Sequence, residues 1–324
     1  MRTQRGLITF DQAVRCGLRP SQVNRLVKDS VWGKARSGVY VDGEHWRQLD
    51  SWIGQPALRA RATHMVTRIE HWFSHDSAAA LHGFSVFRGR PDRVHLTRPD
   101  MRGRQVRAGL TQHGARAHPG ESLILDELPT LSLARTALDI VREHGFDTGL
   151  GACDHALRAG VTREELWRSA ELMRGWPFSV AVREAVEHAD AGSDNPFESA
   201  ARALVLELGI GVPETQFGLT DGHRTAFCDI RVGRHIFEAD GQIKLTPRSA
   251  GGYAADPTRA LWEEKKRQDF ITGFKLGMSR ITFQDLTSHR DQAKRRLVRE
   301  FDDTAARFGT STLDLAPYIV RRAA

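Results

Sequence analysis

Two runs in which apolar and polar residues alternate, "TAFCDIRV" and "HIFEADG", are separated by Gly233 and Arg234. A two-residue Gly-X loop between such runs predicts a β-hairpin with a type II′ turn. Val232 then pairs with His235, and Asp229 stands directly opposite Glu238 on one face. Cys228, Ile230, Val232, Phe237 and Ala239 fill the other face, which is apolar and predicts the core side. Upstream, "AGSDNP" supplies an N-cap and puts Pro196 at a first helical position. "FESAARALVLELG" continues as a helix with Phe197, Ala201, Leu204 and Leu208 in one stripe. Glu198 falls at the edge of that stripe, so its carboxylate looks over the sheet on which the helix packs.

The first 50 residues read as a small winged helix-turn-helix. "ITFDQAVRCGL" predicts a short helix closed by Gly17, and "RPSQVNRLVKDS" a second one with Ser21 as N-cap and Val23, Leu26 and Val27 facing inward. "VWGKARSGVYV" predicts two short strands around a basic turn. Residues 51–190 read as a mixed α/β segment, with a strand in "DRVHLTRP" and helices in "LSLARTALDIVREHG" and "REELWRSAELM". In "SHDSAAALHGF" the Asp76–Ser77 pair reads as a helix cap. His71 and His75, four apart, would stack on a helix as metal ligands can, but no third ligand has matching spacing. The chain is thus expected to be α/β and multidomain, divided at 1–50, 51–190 and 191–324.

Charge changes the picture at the amino-terminal end. Residues 1–120 carry 20 Lys and Arg against 9 acids, whereas residues 121–190 carry 7 against 13. A basic first third suits a surface that meets a phosphate backbone. Gln22, Asn24, Arg25 and Lys28 on the second helix, and Lys34 and Arg36 on the wing, are the side chains expected to reach double-stranded DNA. Three widely spaced cysteines fit a reducing, cytoplasmic setting and exclude a disulfide framework. No apolar run is long enough to span a bilayer.

The unusual chemistry lies in "RHIFEADGQIK". Two carboxylates opposed across a hairpin repel each other, and Asp240 adds a third on the same face. With Glu198 from the helix, four hard oxygen ligands surround one point, a donor set suited to Mg²⁺ or Mn²⁺. Lys244 is placed to orient or deprotonate a water, and Gln242 to position that water or a phosphate. This is the equipment for metal-assisted hydrolysis of a phosphodiester. Solvated charges on an exposed sheet edge are the alternative reading of the same residues.

The succession "NPFESAARALVLELG", "AFCDIRV", "FEADGQIK" and "LWEEKKRQDFITGFKLGMSRITFQDL" resembles a PD-(D/E)XK nuclease-like domain related to very-short-patch-repair endonucleases, over about residues 193–300. The resemblance implies a restriction-endonuclease-like domain in which Glu198, Asp229 and Glu238 bind the metal. Asp240 stands where the superfamily places its lysine. The related subfamily pattern, acid-x-Asp-Gly-x-x-His, accommodates Asp240 and puts Lys244 in place of the histidine. Lys265, Arg267 and Arg280 match positions that frame the site or contact phosphate. Residues 1–190 resemble AbiEi-type antitoxins in "GLITFDQAVRCGLRPSQVNRLVKDSVWGKARSGVYV", "SHDSAAALHGF", "LPTLSLARTALDIV" and "CDHALRAGVTREEL".

Two functions follow as expectations. One is a Mg²⁺- or Mn²⁺-dependent DNA endonuclease whose catalytic set is Asp229, Glu238, Asp240, Gln242 and Lys244. The other is an antitoxin-like repressor of its own operon, with a cognate toxin and an inactive nuclease-like domain. A homodimer is compatible with either.

Overall fold

The computed structural model describes residues 4–89, 92–107, 109–240 and 257–321. The protein is mixed α/β and divides into two compact units, Met1–Glu187 and His188–Ala324.

The first unit opens with β1 (Leu7–Thr9), α1 (Phe10–Arg15), α2 (Pro20–Lys28), β2 (Trp32–Arg36) and β3 (Val39–Asp42), whose strands form a sheet in the order β1-β3-β2. Helix α1 starts at a capping box between Thr9 and Gln12, which satisfies two otherwise orphaned N–H groups. Ser21 does not cap α2: Pro20 is already helical, Arg19 is the N-cap residue, and its main-chain N–H is bonded to Gln22 Oε1 at 2.8 Å. Proline's fixed φ suits the first helical position and moves the start one residue earlier. Ala13, Val23 and Tyr40 bury one apolar cluster. A second joins Leu7, Ala35, Val39 and Val41 to Leu58 and Ala62. Those last two lie beyond residue 50, on α4 (Gly54–Val66), which follows α3 (Gly43–Gln48). A fully buried leucine or valine contributes about 1.5–3 kcal/mol, so Leu58 makes α4 part of this core.

Next come β4 (Trp72–Phe73), α5 (His75–Leu81), β5 (Val94–Arg98), β6 (Gly103–Arg107), β7 (Leu110–Gly114), β8 (Ser122–Leu125) and β9 (Leu128–Leu131). They form a mixed sheet in the order β6-β7-β5-β4-β9-β8, with β5 parallel to β7. Helices α6 (Leu133–His144), α7 (Phe146–Arg158), α8 (Arg163–Leu172) and α9 (Ser179–His188) follow. The cap of α5 is Ser74, so Asp76 and Ser77 lie in the first turn rather than ahead of it.

The second unit contains α10 (Pro196–Glu207), β10 (Glu214–Thr220), β11 (Thr225–Val232), β12 (His235–Asp240), α11 (Pro257–Thr272), β13 (Gly277–Thr282), α12 (Arg290–Phe308) and β14 (Ile319–Val320). Its sheet runs β13-β12-β11-β10-β14, with β12 and β13 parallel. The hairpin has the expected register: Val232 faces His235, Arg231 faces Ile236 and Ile230 faces Phe237. Gly233 takes φ +54° and Arg234 stays at negative φ, the signature of a type II′ turn. Among the described residues no helix is long and apolar enough to cross a membrane.

Candidate active site

Asn195 builds the first wall of the site. Its Oδ1 accepts from the main-chain N–H groups of Phe197 and Glu198, both at 3.0 Å, and so caps α10. Its Nδ2 donates to Glu198 Oε1 at 2.6 Å, while Asp194 N donates to Oε2 at 2.7 Å. Glu198 is therefore a buried carboxylate at a helix N-terminus, where the helix dipole and these donors favour the anion.

The second wall is the hairpin. Backbone pairing of β11 with β12 ends at Ile230 and Phe237. Beyond it, Asp229 Oδ2 takes the main-chain N–H of Ala239 at 2.9 Å, replacing a ladder bond with a side-chain one. Glu238, Ala239 and Asp240 remain paired to β13 on their other side, opposite Arg280, Ile281 and Thr282. A cleft of about 340 Å³ opens here, lined by Glu198, Asp229, Glu238 and Asp240 together with Glu264, Arg267 and Arg280.

Strict alternation fails at this point. The hairpin pattern puts Cys228 beside Ile230 and Phe237, but Cys228 packs in the apolar cluster of Ile236, Ile271 and Leu276. Its thiol is pushed up first by burial and then by the charge of Glu238. The pairing of β10 with β11 skips Gln216 and Asp229, and Gln216 has φ +50°. This local irregularity resets which residues share a face.

Arg267 dominates the electrostatics. Its Nη2 and Nη1 reach the two Glu238 oxygens at 2.9 and 3.3 Å. It also donates to Glu264 and to Phe227 O. Burial, followed by the charge of Asp229, pushes Glu238 up to about 7 against the pull of Arg267. Burial opposes the charge on Arg267, but its bonds to Glu264 and Glu238 outweigh this and hold it protonated. For Glu264, burial acts upward and the Arg267 hydrogen bond prevails, leaving the carboxyl below its ordinary value. Arg280 pairs with Asp240 at 3.1 Å and with Glu264 at 3.4 Å.

All four carboxylates expected from the sequence thus line one cleft, but each already has a donor of its own. Among the described residues, acids or histidines offering three ligand atoms within 4.8 Å of one another occur only at a histidine trio in the first unit. Gln242 and Lys244 lie outside the described residues. Arg267 and Arg280 bind acids of the cleft, and Lys265 is exposed. The grip of Arg267 on Glu238 has no local signature, because a residue on α11 and one on β12 are joined across 29 positions.

In the first unit Gln22, Asn24, Arg25, Lys28 and Lys34 are exposed. Gln22 caps α2, and Arg25 meets Asp29 at 3.4 Å. Arg36 is half-buried and donates to Thr63 Oγ1 on α4 at 2.8 Å. His71 and His75 do not form a pair. His71 contacts His64 at 3.3 Å and Ile69 O at 2.7 Å, and His75 turns to other histidines, because Ser74 starts a new helix between them.

No family model matches the chain. Two Mycobacterium tuberculosis proteins, uncharacterized protein MT2308 of strain CDC 1551 and uncharacterized protein Rv2248 of strain H37Rv, are each 31% identical over 151 residues. The match covers 45% of this chain and 52% of each relative. The chain therefore spans about half the length of these curated relatives. A crystal structure of the RV2827C protein from Mycobacterium tuberculosis aligns with 64% of this chain and 78% of its own, at 15% identity and a TM-score of 0.37.

Proposed function

We propose that the second unit is a divalent-metal-dependent nuclease-like domain that hydrolyses phosphodiester bonds in double-stranded DNA, and that residues 4–50 form a winged helix that holds the DNA. The observation that carries this reading is the convergence of Glu198, Asp229, Glu238 and Asp240 on one cleft from a helix N-terminus and two strands that part beside it. The donor set is all carboxylate oxygen, the chemistry Mg²⁺ and Mn²⁺ select. Glu238, kept near 7 by burial and Asp229, is the group whose anion a cation would favour. Glu198, Asp229 and Glu238 would hold the ion, with Asp240 beside them. A bound Mg²⁺ would polarise the phosphate and lower the pKa of an attacking water.

The chain's own residues supply the rest. Asn195 and Asp194 N hold Glu198 in one orientation, and Ala239 N does the same for Asp229. With an ion held at Glu238, Arg267 would keep Glu264 as its partner, and a phosphate would offer it the same bidentate geometry as a carboxylate. On α2, Asn24, Arg25 and Lys28 present donors to base edges and phosphates.

One observation favours a second reading. Arg267 and Arg280 already neutralise Glu238 and Asp240, as expected of an antitoxin-like repressor whose nuclease-like unit is a scaffold. Calorimetric titration with Mn²⁺ separates the two. The nuclease reading expects binding by wild-type protein that Asp229→Asn abolishes. A DNA-binding protein that takes up no Mn²⁺ is the repressor.

A further inference from the structure

The largest gathering of unused chemistry lies in the first unit. Strand β5 alternates Val94 and Leu96, buried in an apolar cluster with Phe73 and Leu128, against His95 and Thr97 on its other face. In the parallel register Thr97 faces His113 of β7, so His95 and His113 share that face. His95 Nδ1 and His113 Nε2 are 3.1 Å apart. The His75 ring, from the first residue of α5, lies against that of His113 with centroids 3.8 Å apart. One ring nitrogen from each of the three falls within 4.8 Å of the others.

We propose that His75, His95 and His113 form a binding site for a first-row divalent transition ion such as Zn²⁺, with one coordination position left for water. Three neutral imidazoles and an open fourth position are an established donor set for Zn²⁺. With metal–nitrogen bonds of about 2.0–2.1 Å, ligand nitrogens of a tetrahedral site stand roughly 3.3 Å apart, close to the separation already present between His95 and His113.

Two further features fit this assignment. His75 Nδ1 is bonded to Ser74 Oγ at 2.9 Å, which leaves Nε2 for a metal and fixes its role, as the outer partners of metal-bound histidines do. His75 has φ +50°, a left-handed backbone of the kind that clusters at ligand-holding sites.

Burial holds all three rings neutral, His95 titrating at about 4 and His113 at about 3. The imidazole lone pairs are therefore available throughout the physiological range. Arg93, Arg104, Arg135 and Arg142 add positive charge around the trio, and Asp76, bonded to His144 at 2.7 Å, opposes them. Uptake replaces the hydrogen bond between His95 and His113 and turns the His75 ring off its neighbour.

The test uses untagged full-length protein stripped with a chelator and titrated with Co²⁺ and then Zn²⁺. The expected result is one equivalent of Co²⁺ giving the intense visible absorption of a tetrahedral nitrogen site, displaced by Zn²⁺. His95→Ala and His113→Gln should each weaken binding by more than about a hundredfold, beyond what loss of an outer partner costs. Glu238→Gln should leave the spectrum unchanged, which separates this site from the carboxylate cleft. His113 is partly exposed, so its variant decides the question if His95→Ala does not fold. Absence of the tetrahedral spectrum in wild-type protein, or its survival in a folded His113→Gln, overturns the proposal.

Discussion

Arg267 grips both carboxylate oxygens of Glu238, with Nη2 at 2.9 Å and Nη1 at 3.3 Å. The pair links a helix to the strand that carries the centre of the acidic cleft, and three consequences for variants and pH follow from it. Replacing Arg267 by Met leaves Glu238 buried beside Asp229 with its counter-charge gone. The expected loss is roughly 2–4 kcal/mol at pH 8, at or below the cost of breaking a fully buried ion pair because Arg267 is partly exposed, and smaller at pH 5, where Glu238 is protonated. Urea unfolding at the two pH values measures both. In the same variant Mn²⁺ no longer competes with a guanidinium for Glu238, so calorimetry should show several-fold tighter binding.

Glu238 titrates at about 7 in the folded chain, against an ordinary value of 4.5. The folded state thus holds this proton more tightly than the unfolded state. The resulting stability is fully present below about pH 4.5 and is lost as pH rises through 7, on the order of 3 kcal/mol in all. Glu238→Gln should remove that component of the pH dependence. Parallel stability profiles for wild type and variant would show that Glu238 does not titrate this way.

Asn195 does two things at once, capping α10 and orienting Glu198. Asn195→Ala should cost about 1 kcal/mol for the lost cap and weaken Mn²⁺ binding as well. Asn195→Asp separates the effects: it restores the cap but sets a second negative charge against Glu198. A variant that loses stability yet binds Mn²⁺ as wild type does would remove Asn195 from the site.

On α2, Arg25→Ala and Lys28→Ala should weaken DNA binding and lower the salt dependence by about one counterion per lost phosphate contact. Arg36→Ala should act differently. Its guanidinium is committed to Thr63, so the expected loss is about 1 kcal/mol of stability with little change in salt slope. Fluorescence anisotropy across a salt series distinguishes the two behaviours.

What the sequence disclosed was set by local rules. A Gly-X turn has few geometries, so the hairpin register was readable from Gly233 and Arg234 alone, as was the α10 start from Asn195 and Pro196. The side of the sheet taken by Cys228 was not, because it depends on the irregularity at Gln216, which carries no marker such as glycine. Arg267 and the histidine trio were hidden for another reason. Their partners meet through strand order and helix packing, and the pairing of β5 with β7 brings His95 and His113 together only once the chain has crossed through β6. Spacing instead suggested His71 with His75, but His71 lies just ahead of β4 and His75 opens α5.

The cleft around Asp229 and Glu238 is proposed to cut DNA. Incubating supercoiled plasmid with purified protein in Mg²⁺, Mn²⁺ or EDTA, beside Glu238→Ala, tests this proposal. The expected result is nicking that requires the metal and disappears in the variant while DNA binding persists. Intact plasmid in every lane, with the DNA still shifted in a gel, would contradict it and leave the repressor.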